Sequence, residues 1–172
     1  MDVIASRAQP NLQKASAMSH SDLVEHYALG ALRVREAVAG MSPEQIVASP
    51  IPGRWSTLEV VSHLADFEII GVDRITAVIA EDSPTLPGRC EQRYAARLYY
   101  LERDLEEQLQ IIELCRSHTT RILRRLKAED WTRPGVHTEA GPLTLAQLLE
   151  RVVRHVEHHV PFIQAKRAAL GI

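Results

Sequence analysis

Residues 144–170 read TLAQLLERVVRHVEHHVPFIQAKRAAL. Thr144 followed three positions later by Gln147 is a capping box, so a helix starts there. Gly171 supplies the stop near its other end. Pro161 falls inside the helix and is expected to kink or locally adjust it. At about 100° of rotation per residue, with His155 at zero, His159 falls at roughly 40°, Leu148 at 20°, Val152 at 60°, Phe162 at −20° and Ile163 at 80°. Two histidines one turn apart therefore occupy the centre of the apolar stripe. Arg151, Arg154 and His158 group off its edge.

Outward from this segment, the chain divides into long helical patterns separated by Pro and Gly clusters. Ser21 to Ala39 repeats apolar residues at helical spacing and is stopped by Gly40. Ser42-Pro43-Glu44-Gln45 opens a very short helix. Ser56-Thr57-Leu58-Glu59 is a second capping box, with Trp55 at the staple position, and its helix should reach about Ala80. Residues 82–88 read as a loop. Arg93 to Leu126 is charged, leucine-rich and free of Gly and Pro, as one long helix requires. Arg133-Pro134-Gly135 and Gly141-Pro142 bracket a further loop, and strand signals are thin. The expectation is an all-α four-helix bundle with short extra helical turns in its connections. Residues 1–18 form a loosely ordered lead-in, and residues 19–172 a single domain.

Composition supports that reading. With 172 residues the chain suits one domain, and 45% hydrophobic residues are enough for a sizeable core. Only 5% are aromatic, so aliphatic side chains do most of the filling. Formal net charge is −2, from 20 basic and 22 acidic residues, which argues against a nucleic-acid partner. No run of about 18 apolar residues suggests a membrane span, and no leader segment is visible, so a cytoplasmic location is expected. Cys90 and Cys115 make no disulfide framework and are read as inert small hydrophobes.

The informative residues are the eight histidines. On the helix of residues 56–80 the same wheel places Val60, Phe67 and Ile70 within roughly 60° of His63. His63 thus points inward from a second helix. A single histidine on an apolar face is commonly a satisfied core residue, but a pair at i,i+4 and a third at matching depth point to a shared ion. Each imidazole would otherwise carry two polar nitrogens into a dry region. Three neutral nitrogen donors suit zinc, nickel, copper or iron better than magnesium or calcium, and leave a position open for water or substrate. The run His155-Val156-Glu157-His158-His159 is not an H-E-x-x-H motif, and Glu157 lies about 200° round from His155. Asp66 and Glu59 flank His63 at roughly −60° and −40°, where either could accept its second ring N–H, or serve as surface residue and helix cap. His158 reads as a rim residue, and His20, His26, His118 and His137 as surface residues. Tyr99 and Tyr100 read as core packing, with a phenol presented to the cavity as the alternative. Trp55 and Trp131 read as packing anchors.

The segment from Pro52 to Asp66, with Trp55 ahead of His63-Leu64-Ala65-Asp66, resembles a signature of the DinB-like proteins, nearest their YfiT-type branch of metal-dependent hydrolases. Leu143 to Gln147 followed by His155 to His159 is similar to the second signature, and the resemblance extends from about residue 21 to 170. It implies a four-helix bundle with a buried divalent metal, zinc or nickel most often, held by His63, His155 and His159. It also implies a small-molecule substrate, a low-molecular-weight thiol in some members, and frequently a homodimer. Thiol S-transferase and hydrolase activities are both implied. The alternative is a non-catalytic binding or stress-response module whose metal is structural.

Overall fold

The computed structural model describes residues 18–172, so the expectation for the lead-in falls outside them apart from Met18. Among the described residues six α-helices form: α1 His20–Val38, α2 Pro43–Val47, α3 Thr57–Ala80, α4 Glu91–Arg97, α5 Leu105–Leu123 and α6 Leu145–Leu170. Four of them are long and make the bundle. α1 packs on α5 and α6, and α3 packs on the same two. Thus α1 lies diagonally across from α3, and α5 from α6, although each pair is consecutive among the long helices. The short α2 and its flanking turns span the first diagonal, and a β-hairpin occupies the second connection.

Local chemistry sets the boundaries. Ser56 and Thr144 each accept the N3 backbone N–H, while Glu59 and Gln147 reach back to the N-cap N–H. Arg133 donates to the carbonyls of Val78 and Glu81 at 3.0 and 2.9 Å, satisfying orphan acceptors at the end of α3. α6 runs through Pro161 to Leu170. Pro161 deprives the Glu157 carbonyl of its helical donor, and both residues are exposed, so water can replace the lost bond.

Two expectations are corrected. The single helix over residues 93–126 is broken into α4, a 3-10 turn at Tyr100–Glu102, and α5. Tyr99 takes a left-handed φ of 52° and Arg103 is extended. Asp104 then caps α5 by accepting from the Glu107 N–H at 2.8 Å. Burial of Tyr100 edge-on to the Trp55 ring, with the Arg103 guanidinium 4.7 Å from its centroid, outweighs the propensity of this stretch to stay helical. Tyr99 is exposed rather than in the core.

The second correction concerns the loop between Arg133 and Pro142. It contains β2 Pro134–His137 and β3 Gly141–Thr144, paired antiparallel, with β1 Thr85–Leu86 added in parallel to β2. Strands of two to four residues are too short to show alternation in the sequence. Their pairing follows from docking on α3. At Gly135 a Cβ would lie 2.7 Å from Val78 and 2.9 Å from Leu86, so only glycine permits this approach.

The apolar core divides into two clusters, one around Val34, Leu64, Ile112 and Ile163, the other around Leu23, Ile75, Trp131 and Leu149. Between them in sequence sits a buried polar network. Glu68 accepts from the Tyr27 hydroxyl at 2.8 Å and from Arg116 Nε at 2.9 Å, while Arg116 Nη1 donates to the Tyr27 carbonyl at 2.6 Å. The guanidinium also lies 4.6 Å from the Tyr27 ring centroid. Gly30 makes room for it, because a Cβ there would fall 1.8 Å from Arg116 Nη1. This network ties α1, α3 and α5 together. Glu68→Gln removes the buried counter-charge of Arg116 and should lower unfolding free energy by about 3 kcal/mol in a denaturant titration. An unchanged midpoint would contradict the role given to the pair.

Candidate metal centre

α3 and α6 bring His63, His155 and His159 together. One ring nitrogen from each lies within 4.8 Å of the others. His63 Nε2 and His155 Nε2 are 2.9 Å apart, and the three ring centroids are 4.7–4.8 Å from one another. A tetrahedral ion with metal–nitrogen bonds of about 2.0–2.1 Å would hold its donors about 3.3 Å apart, so the spacing suits a shared divalent cation. The helical wheels place His155 and His159 one turn apart on the apolar stripe of α6 and His63 inward on α3; His63 and His159 are buried and His155 is half-buried. Neither His63 Nδ1 nor His159 Nδ1, both buried, has a hydrogen-bond partner among the described residues.

Burial decides the protonation state. His63 is fully enclosed, with Trp55 and Phe67 ring centroids at 5.2 and 4.5 Å. Desolvation first, and then the neighbouring His159, push its pKa down to about 3. Desolvation, followed by the other two rings, brings His155 to about 3 as well. His159 is brought to about 4, by burial and then by His158 and Lys166. All three are neutral at neutral pH, which is the form that ligates a cation.

Glu59 and Asp66 are engaged elsewhere. Glu59 Oε2 accepts from the Ser56 N–H at 2.7 Å as the cap partner. Asp66 is held by Arg103, at 2.8 Å to Oδ1 and 3.2 Å to Oδ2. Neither carboxylate bonds to a ring nitrogen of the three histidines among the described residues. The carboxylate that does approach them is Glu91, whose Oε2 lies 3.8 Å from His63 Nε2. It sits in the first turn of α4, and helix geometry could not have found it, because α4 reaches the cluster through tertiary packing.

Two cavities of about 700 Å³ each meet at the cluster, and both are lined by Glu91, His155 and His158. One is bounded by Trp55, Ile51, Val60 and Phe162, with Arg54 and Lys166. Lys166 is buried, donates to the Phe162 carbonyl at 3.1 Å, and has its pKa lowered by that burial. Phe162, placed on the apolar stripe by the wheel, is partly exposed at this cavity and packs against His158 and His159. The other cavity carries four arginines and His137.

The remaining residues fall mostly where expected. His158, His20 and His118 are exposed, His26 is half-buried, and His20 stacks on Trp131. His137 is a correction: it is buried, because alternation along β2 turns it inward with Gly135. Cys90 is exposed and Cys115 half-buried, both free. No helix of the described residues is long and apolar enough to cross a membrane.

A family profile described as the DinB superfamily matches residues 29–163. A curated relative in Oceanobacillus iheyensis, provisionally named a metal-dependent hydrolase, is 27% identical over 130 residues, covering 76% of this chain and 75% of its own. Another from Bacillus licheniformis, of the same provisional name, is 26% identical over 139 residues, covering 80% and 79%. Among solved structures, YfiT from Bacillus subtilis, described as a probable metal-dependent hydrolase with an unusual four-helix bundle topology, superposes with TM-score 0.83 at 21% identity over 95% of this chain and 94% of that one. A mycothiol-dependent maleylpyruvate isomerase gives TM-score 0.67 at 12% identity over 83% and 60%. Both likenesses establish the fold.

Elemental analysis of the purified protein should find about one divalent ion per chain, in keeping with a single three-nitrogen site. His63→Ala should lose it while the far-ultraviolet helical signal persists. Retention of the ion by that variant would remove His63 from the ligand set.

Proposed function

The chain belongs to the DinB superfamily, and from that premise we propose a metal-dependent enzyme in which His63, His155 and His159 hold zinc or nickel to activate a low-molecular-weight thiol or water. The observation that carries this reading is the cluster itself: three neutral imidazoles at one point, reached from two cavities. The names of the relatives point the same way. The mycothiol-dependent neighbour supports the thiol arm. A divalent ion there supplies Lewis acidity, lowering the pKa of a thiol or water placed against it.

The chain's own residues supply the rest. His63, His155 and His159 contribute donors without charge, so the cation's field is not cancelled locally. Trp55 and Phe67 exclude water from the His63 side and strengthen that field. Glu91, at the junction of the cavities, is placed to take the proton released by the nucleophile at Oε2. The cavity bounded by Trp55 and Phe162 offers apolar surface for an electrophilic partner. In transfer the thiol gives its proton to Glu91 and its sulfur bonds to an electrophilic carbon whose leaving group departs as an anion such as halide. In hydrolysis water gives up its proton, bonds to a carbonyl carbon, and the acyl–oxygen bond breaks to release acid and alcohol. The same cluster serves either. A homodimer in the cytoplasm completes the proposal, on the strength of the family resemblance alone.

Chelator-treated and metal-reloaded protein should be compared with small thiols plus an activated aryl halide, and with an activated ester. Loss of turnover on chelation and its return with zinc or nickel are expected in at least one assay. Glu91→Gln should slow that reaction by about a hundredfold with metal content unchanged. Equal turnover by metal-free protein would end the proposal. Unfolding on chelation, with no turnover in either assay, would instead support the structural-metal module.

A further inference from the structure

The second cavity at the cluster is walled by Arg74 from α3, Arg89 from the segment before α4, and Arg151 and Arg154 from one face of α6. His137 also lines it, and His155 joins it to the histidine cluster. None of the four guanidinium groups has a carboxylate oxygen within 4.0 Å among the described residues. Arg33, Arg35, Arg103, Arg116, Arg124 and Arg133 each have one, while Arg54, Arg93, Arg97, Arg121, Arg125 and Arg167 also lack one among the described residues. What sets Arg74, Arg89, Arg151 and Arg154 apart is that they share a single concavity. Glu91, Glu139 and Glu150 also line the cavity, but none reaches an arginine.

Arg74 shows the consequence most clearly. It is half-buried, donates to the Pro87 carbonyl, and leaves a solvent-inaccessible Nε without a partner. Burial and then Arg89 press its pKa downward, with Arg151 adding to this and Glu139 and Asp73 opposing. His137 Nδ1 accepts the N–H groups of Glu139 and Ala140 at 3.2 and 3.3 Å, so its remaining nitrogen, Nε2, is the donor. Four guanidinium groups from three segments outnumber the three carboxylates that line the same concavity and form no ion pair with them, an excess of positive charge that raises its potential and concentrates anions there. Planar guanidinium forks match carboxylate and phosphate oxygens in paired hydrogen bonds.

We infer that this cavity is an anion subsite, binding a carboxylate or phosphate group borne by the small molecule whose reactive end reaches the histidine cluster. The last clause rests on the function proposed above; the subsite itself does not. An anionic tail seated among the arginines fixes where the other end of the molecule lies. It also leaves the cavity of Trp55 and Phe162 free for a second reactant.

Succinate and inorganic phosphate should be titrated separately, by calorimetry at constant ionic strength, into the full-length metal-free chain. Saturable millimolar or tighter binding of at least one is expected, and which one binds distinguishes a carboxylate from a phosphoryl tail. The double variant R151Q/R154Q, altered at two exposed side chains, should weaken it by at least about tenfold, a change of about 1.4 kcal/mol. Arg121→Gln, on the distant α5, should not. Binding that survives His63→Ala keeps this test independent of the metal. Absence of saturable binding by either anion, or equal weakening by Arg121→Gln, would overturn the subsite.

Discussion

Three imidazole rings held against one another, where the middle of α6 meets the first half of α3, set the terms for the rest of the molecule. His63 and His159 are buried, with Trp55 and Phe67 shielding the His63 side from water, while the half-buried His155 faces both cavities. An unsatisfied buried polar group costs about 1–3 kcal/mol, so such a cluster is unfavourable by several kcal/mol unless something accepts its lone pairs. A cation bound by three nitrogens can return more than that, since structural zinc sites supply about 10–16 kcal/mol. Burial that holds the rings neutral prepares them for that role.

The diagonal topology makes the convergence affordable to the fold. Because α3 and α6 are neighbours while α5 and α6 are not, the chain can place donors from widely separated positions on facing helices. The Tyr27–Glu68–Arg116 network fixes α1 and α5 to α3 independently of the histidines. The bundle therefore has a polar tie of its own. The broken segment between α4 and α5 and the β-hairpin are not decoration on this plan. They deliver Glu91 to the cluster and His137 to the arginine-lined cavity.

Much of this was legible in the residues. The capping boxes at Ser56 and Thr144 locate the two helices that matter, and angular position on them turns His63, His155 and His159 toward one another, with His155 left half-buried. Those are local, periodic signals. What escaped depends on contacts between distant segments. Tyr100 breaks a helix-forming stretch to bury its ring beside Trp55, and Arg116 is buried only because Gly30 leaves space and Glu68 a counter-charge. The short strands exist through docking on α3, and the partnership of Asp66 with Arg103 depends on a turn the helical pattern did not announce. A wheel can say which way a side chain faces, but not which other element meets it.

X-ray absorption on the purified, metal-replete protein reads the coordination sphere itself. The expected spectrum is that of a zinc or nickel ion with three imidazole nitrogens at about 2.0–2.1 Å and at least one further light donor that changes when a small thiol is added. A sphere lacking imidazole scattering, or one closed by four protein ligands and indifferent to thiol, would contradict it.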